Sequence, residues 1–111
     1  LAAWEAEDWL DRFLRQRLRA YTPSTLVQPA DVRRELQKIR AARYATDVEE
    51  FSVGLRCVAA PLFDQSRRVV ASMGIAGPAV RLSTDRLPRL ASLVRESAAA
   101  VSRALGGEGP V

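Results

Sequence analysis

Few side chains in this sequence are equipped for chemistry. They are one thiol, Cys57, and a close run of carboxylates, Asp47, Glu49 and Glu50, in a chain of 111 residues that has no histidine. A thiol without histidine lacks its usual base. Cys57 would become a nucleophile only if an arginine lowered its pKa, and otherwise reads as a small buried hydrophobe in mid-strand. Paired carboxylates can hydrolyse glycosides when two of them face one cleft, but nothing in the spacing of Asp47, Glu49 and Glu50 sets two of them there. Their plainer reading is a solvated strand end. Zero histidines and a single cysteine exclude zinc-finger ligand sets, Ser-His-Asp or Cys-His catalysis and an intrachain disulfide. Gly74-Ile75-Ala76-Gly77 has neither the spacing nor the following helix start of a phosphate loop, so no cofactor and no metal is expected. Binding or scaffolding is expected rather than an enzyme, with a small enzyme using Cys57 or the Asp47 and Glu49 carboxylates as the weaker alternative.

The elements that must position these residues fit one small α/β (α+β) domain. A length of 111 residues, 48% of them apolar and 27% charged, suits a single core. No run approaches the roughly 18 apolar residues of a membrane span, and no signal layout opens the chain, so it reads as soluble, cytoplasmic and without a membrane partner. Seventeen basic residues against thirteen acidic ones give +4, and all the basic ones but Lys38 are arginine. A basic excess admits a nucleic-acid-binding module, yet the arginines are scattered among acids such as Asp8, Asp11, Asp31 and Glu35, as on solvated helix faces.

Trp9, Leu10, Phe13, Leu14 and Leu18 make one stripe of a helix expected from Glu5 to about Ala20. Thr22-Pro23-Ser24 interrupts it, which predicts an extended connector from Tyr21 to Val27. A second helix starts near Pro29 with Val32, Leu36 and Ile39 as its buried line. The period then drops to two. Strands are expected over Tyr44–Glu50, Val53–Phe63 and Arg68–Ala76, and a long helix over Leu82–Leu105, capped by Ser83, Thr84 or Asp85 and stopped by Gly106-Gly107.

A four-residue turn Asp64–Arg67 would set Phe63 opposite Arg68, Cys57 opposite Gly74 and Leu55 opposite Ala76. One face of that hairpin carries Val58, Ala60 and Leu62 with Val69, Ala71, Met73 and Ile75, bulky enough to lie under helices, with Arg56 near its end. The other carries Leu55, Cys57 and Ala59 with Ser72, Gly74 and Ala76, nearly all small, and by alternation Asp47 and Glu49 could border it. A small-residue face either admits a closely packed helix or floors a ligand cavity, and periodicity leaves both open.

Three stretches carry a resemblance: Arg43 to Glu50 (RYATDVEE), Gly54 to Asp64 (GLRCVAAPLFD) and Val69 to Pro78 (VVASMGIAGP). In that order and spacing they resemble the effector-binding domain of IclR-type bacterial transcription regulators. The resemblance implies a GAF-like sensor in which an antiparallel sheet flanked by helices holds a small organic effector. It further implies self-association as a dimer or dimer of dimers, and operator DNA bound only through a separate N-terminal winged helix-turn-helix absent from this sequence. Residues 1–106 would be an incomplete effector-binding domain with about three of its strands, opening at the last turn of a ligand-capping helix, and 107–111 a loose tail. The family's effector contacts fall on Asp47, Leu55, Cys57, Gly74 and Ala76, four of them on the small-residue face. Members that bind small oxo-acids resemble one another in having serine at the positions of Gly74 and Ala76. Losing two hydroxyl partners weakens carboxylate binding by about 1 to 3 kcal/mol each, which implies a larger or less polar effector such as an aromatic or acyl acid. Arg43 and Arg67 also replace glycines often seen in the family.

Overall fold

A computed structural model of the chain describes residues 1–107. A short 3-10 helix (Ala2–Trp4) is followed by α1 (Glu7–Leu14), α2 (Pro29–Ala42), β1 (Ala45–Val48), β2 (Leu55–Phe63), β3 (Val69–Pro78) and α3 (Leu87–Ala104). The three strands form one antiparallel sheet in the order β1-β2-β3.

Local chemistry accounts for most boundaries. Pro29 opens α2, where its fixed φ suits the first turn, with Asp31 near the positive end of the helix dipole and Arg40 near the negative end. That helix ends on Arg43 at φ 63°, whose N–H bonds the Ile39 carbonyl at 2.7 Å. The left-handed region is where a glycine would be cheapest, so the arginine keeps the turn at a backbone cost.

Two helices are shorter than their sequence patterns suggest. The first stops at Leu14 rather than near Ala20, because the chain beyond it is tied elsewhere. Thr25 Oγ1 accepts the N–H groups of Tyr21 and Thr22, and the Thr22 and Thr25 hydroxyls donate to the carbonyls of Glu49 and Glu50. The expected extended connector is therefore a threonine-bonded turn. The last helix begins at Leu87 rather than Leu82, with Pro88 in its first turn. No side chain caps it: Ser83 contributes its carbonyl to the N–H groups of Arg86 and Leu87, and Thr84 turns its hydroxyl to Arg56.

The hairpin register is two residues from the expected one. Cys57 lies opposite Ala76, Ala59 opposite Gly74 and Leu55 opposite Pro78. One residue of the slip comes from the turn, which runs from Asp64 to Arg68. It is closed by the Asp64 carboxylate on the N–H groups of Ser66 and Arg68, with Arg67 at φ 60°. The other is a bulge, since Leu62 faces Ala71 while Phe63 faces Val69 and Val70 is left over. From Leu55 to Leu62 the slip is even, so these residues and their partners keep their expected faces; beyond the bulge it is a single residue, and Val69, expected beside Leu62, lies opposite Phe63.

Helix α3 covers the bulky face around Val58 and Ala60, whereas Ile75, expected under a helix, lies beyond its reach and is exposed. Ala91, Val94 and Ala98 pack with Val58 and Ala60, and Tyr44, Leu62, Met73 and Leu87 close the edges. Burying Val58 completely is worth about 1.5–3 kcal/mol. Beyond α3, Gly106 takes φ 82° and Gly107 is buried, its N–H on the Ser102 carbonyl at 2.7 Å. A Cβ on Gly107 would lie 2.2 Å from the Phe63 carbonyl, so only glycine fits there. Gly107 thus packs against the fold instead of starting the loose tail, whose remaining residues 108–111 lie outside the described residues.

Candidate functional site

The antiparallel pairing aligns Asp47, Cys57 and Ala76 in one row across the three strands. The neighbouring row on that face is Ala45, Ala59 and Gly74, and Leu55 lies two residues along β2 from Cys57. All five candidate residues therefore share the face turned away from α3. Asp47, Leu55 and Cys57 are half-buried, whereas Ser72, Gly74 and Ala76 are exposed. The face is open. Close packing of a helix onto its small residues does not occur among the described residues.

Gly74 reaches this face through its main chain alone. A Cβ there would stand 2.3 Å from the Val58 carbonyl oxygen and 2.9 Å from the Ala59 Cα, so β2 itself fills the space a serine would need. The missing serine at Gly74 therefore adds no room, and Ala76 is the position where a larger ligand gains volume.

Asp47 is held by the turn that follows β1, where its Oδ1 accepts the Glu50 N–H at 2.8 Å. Glu49, expected to border the same face by alternation, does not. The strand ends at Val48, Glu49 takes φ 59°, and its carboxylate turns to Arg56 Nη2 at 3.2 Å and the Gly54 N–H at 2.8 Å. The Gly54 N–H first, and Arg56 second, hold the Glu49 carboxyl below its ordinary range. The Glu50 carboxyl is pushed up, chiefly by burial, with the charges of Asp47 and Glu35 adding to it. No two of the three acids face one cleft with their carboxylates free.

Burial, and then the nearby charge of Asp47, raises the Cys57 thiol above its ordinary value. Both effects favour the protonated thiol over the thiolate nucleophile. Among the described residues no group of three or more histidine, cysteine, aspartate or glutamate residues could hold a metal ion, and no helix is long and apolar enough to cross a membrane.

Two concavities lie elsewhere. One of about 320 Å³ runs along α3 past Ser92, Arg95 and Ala99 to Pro61 and Phe63. The other, about 480 Å³, lies between Val32, Leu36 and Ile39 of α2 and the residues Phe13, Leu18 and Tyr21. Neither is lined by any of the five candidates. Among the described residues Arg33 pairs with Glu7 and Asp11, Arg12 with Asp8, Arg34 with Asp31 and Arg68 with Asp64, which leaves the net excess of four positive charges in place. Sequence reasoning missed the Glu49–Arg56 pair and the threonine clamp of Thr22 and Thr25. The run Thr22-Pro23-Ser24-Thr25 carries a signal for the second, because hydroxyls beside a proline favour side-chain-bonded turns.

Residues 1–103 match the family described as bacterial transcriptional regulator IclR C-terminal. The HTH-type transcriptional repressor AllR of Klebsiella pneumoniae is 41% identical over 101 residues, 91% of this chain and 37% of that protein. The transcriptional repressor IclR of Escherichia coli is 40% identical over 93 residues, 84% of this chain and 34% of that one. The chain thus spans little more than a third of the length of these relatives. Among solved structures, Thermotoga maritima IclR is similar with a TM-score of 0.84 at 35% identity, over 94% of this chain and 42% of that one. The C-terminal domain of Escherichia coli KdgR gives 0.81 at 30% identity, over 94% and 64%. The relatives are named as repressors, not as enzymes, and the α+β fold is theirs. The chain belongs to the IclR family of bacterial transcriptional regulators, in their C-terminal domain.

Proposed function

We propose that this chain is the effector-sensing part of a cytoplasmic IclR-type regulator and binds a small organic acid on the sheet face opposite α3. The observation that carries this reading is the row Asp47, Cys57, Ala76, which puts a carboxylate, a neutral thiol and a small residue side by side on a face exposed at Ser72, Gly74 and Ala76. Asp47 orients the ligand's polar end, Leu55 and Cys57 form the floor, and the main chain at Gly74 allows close approach. The effector is aromatic or acyl rather than a two- or three-carbon oxo-acid, because neither serine hydroxyl is present and Ala76 leaves room. No cofactor takes part. The protein self-associates, and operator DNA is bound by a separate winged helix-turn-helix. Binding controls that domain only to the extent that effector affinity differs between two arrangements of the subunits.

Titration calorimetry on the full-length protein with phenylacetate, glyoxylate and pyruvate tests the reading. Phenylacetate should bind more tightly than either oxo-acid, and Ala76→Phe should abolish its heat of binding. An isotherm unchanged by Ala76→Phe removes the site, and oxo-acids binding as tightly as phenylacetate remove the ligand class.

A further inference from the structure

The turn after β1 and the chain before α3 meet on Arg56 at one end of the sheet. Its side chain is only 15% exposed. Nη1 donates to the Leu82 carbonyl and the Thr84 hydroxyl, each at 3.2 Å, while Nη2 donates to Glu49 Oε2 at 3.2 Å. Nε is buried without a partner among the described residues, a cost that an aliphatic side chain at this position would avoid. A guanidinium presents its Nη1 and Nη2 donors in a fixed planar fork, which the rotating point charge of a lysine ammonium does not reproduce.

Each end of this bridge leads to an element of consequence. Glu49 is fixed by the Gly54 N–H at 2.8 Å and by the Thr22 hydroxyl on its carbonyl at 2.6 Å, and it lies inside the turn whose Glu50 N–H holds Asp47. Leu82 and Thr84 flank Ser83, whose carbonyl accepts the N–H groups of Arg86, the residue before α3, and of Leu87, its first residue. Displacing the turn after β1 therefore pulls on Arg56, and Arg56 pulls on the chain that sets where α3 begins.

We infer that Arg56 is a positioning residue that couples the turn holding Asp47 on one face of the sheet to the start of α3 on the other. Its meaning as a signal path rests on Asp47 contacting the effector, as proposed above. The coupling itself needs no ligand, so the two ideas can fail separately. An effector that draws Asp47 towards it shifts Glu49, and α3 responds through a single side chain rather than through the sheet as a whole.

The test is hydrogen exchange, read by mass spectrometry on the full-length protein without ligand. Glu49→Gln should speed exchange severalfold at the Arg86 and Leu87 amides, although Glu49 touches neither. With Arg56 already replaced by methionine, Glu49→Gln should change nothing further there. A purely structural role for each residue would instead give the same acceleration in both backgrounds, and that result overturns the proposal. So does an unchanged Leu87 amide in Glu49→Gln alone. Should Arg56→Met fail to fold, Arg56→Gln supplies the background, a shorter side chain that keeps a polar end without reaching both partners. A null calorimetric result for Ala76→Phe would remove the effector reading and leave this outcome standing.

Discussion

The two faces of the sheet are made by the same strands and differ in what alternate residues offer. Val58 and Ala60, against Ala91 and Ala98 of α3, are at most 3% exposed. One residue along, Cys57 and Ala59 face outward with Ser72, Gly74 and Ala76, small side chains on a face that remains open. The covered face holds the domain together, and the open one is free to be specific. Substitutions on the first should therefore act on stability, and on the second on binding.

Val58→Asp should have the largest effect. An unpaired carboxylate at a fully buried position costs several kcal/mol, so denaturant unfolding should find the protein unfolded or nearly so. Gly74→Ser is the sharper probe, because it lies on the open face but its Cβ meets β2 backbone. It should cost about 1–3 kcal/mol in the same assay, and a neutral result would show that the strands are free to part there. Ala76→Phe should stay within about 0.5 kcal/mol of the parent while ending effector binding, which separates the two faces directly. The one stabilising change is expected at Arg67, in the hairpin turn at φ 60°. Arg67→Gly relieves a left-handed cost of about 1–2 kcal/mol and adds unfolded-state entropy of about 0.5–1 kcal/mol, a net gain of less than about 1.5 kcal/mol in melting experiments.

Acid offers a further contrast. Glu49's carboxyl is held below its ordinary value of 4.5, so its contribution is fully present above that value and is lost as the pH falls through the lowered one. The protection factor of the Gly54 amide, its exchange rate relative to the free peptide at the same pH, should fall across that window, while those of β2 amides under α3 hold. A uniform fall in protection would mean that global unfolding, and not this turn, responds to acid.

The division into faces was legible in the sequence because alternation depends only on parity, and the turn and bulge each added one residue. Had only one of them occurred, Cys57 would have come to face a residue of the opposite set. Helix ends were less legible. Arg15-Gln16-Arg17-Leu18 continues a helical pattern, but the clamp from Thr22 and Thr25 to the turn after β1 ends α1 earlier, and such long-range bonds leave no trace in local periodicity. Glu49 was misplaced because a positive φ at a non-glycine residue breaks alternation without a sequence mark. At the site, Asp47, Leu55, Cys57 and Ala76 were brought together as alternation and resemblance implied, while the closeness of β2 to Gly74 is a three-dimensional fact that no spacing encodes.

The central claim is that the open face receives the effector, and Cys57, in the middle of the Asp47–Ala76 row and the single cysteine of these 111 residues, reports on it directly. The decisive measurement is the rate of Cys57 alkylation by iodoacetamide, followed by peptide mass spectrometry with and without saturating phenylacetate. Burial and the charge of Asp47 make the thiol slow to react even when free, and bound effector should slow it severalfold further. An alkylation rate that does not change while calorimetry shows phenylacetate bound would place the effector elsewhere and contradict this account.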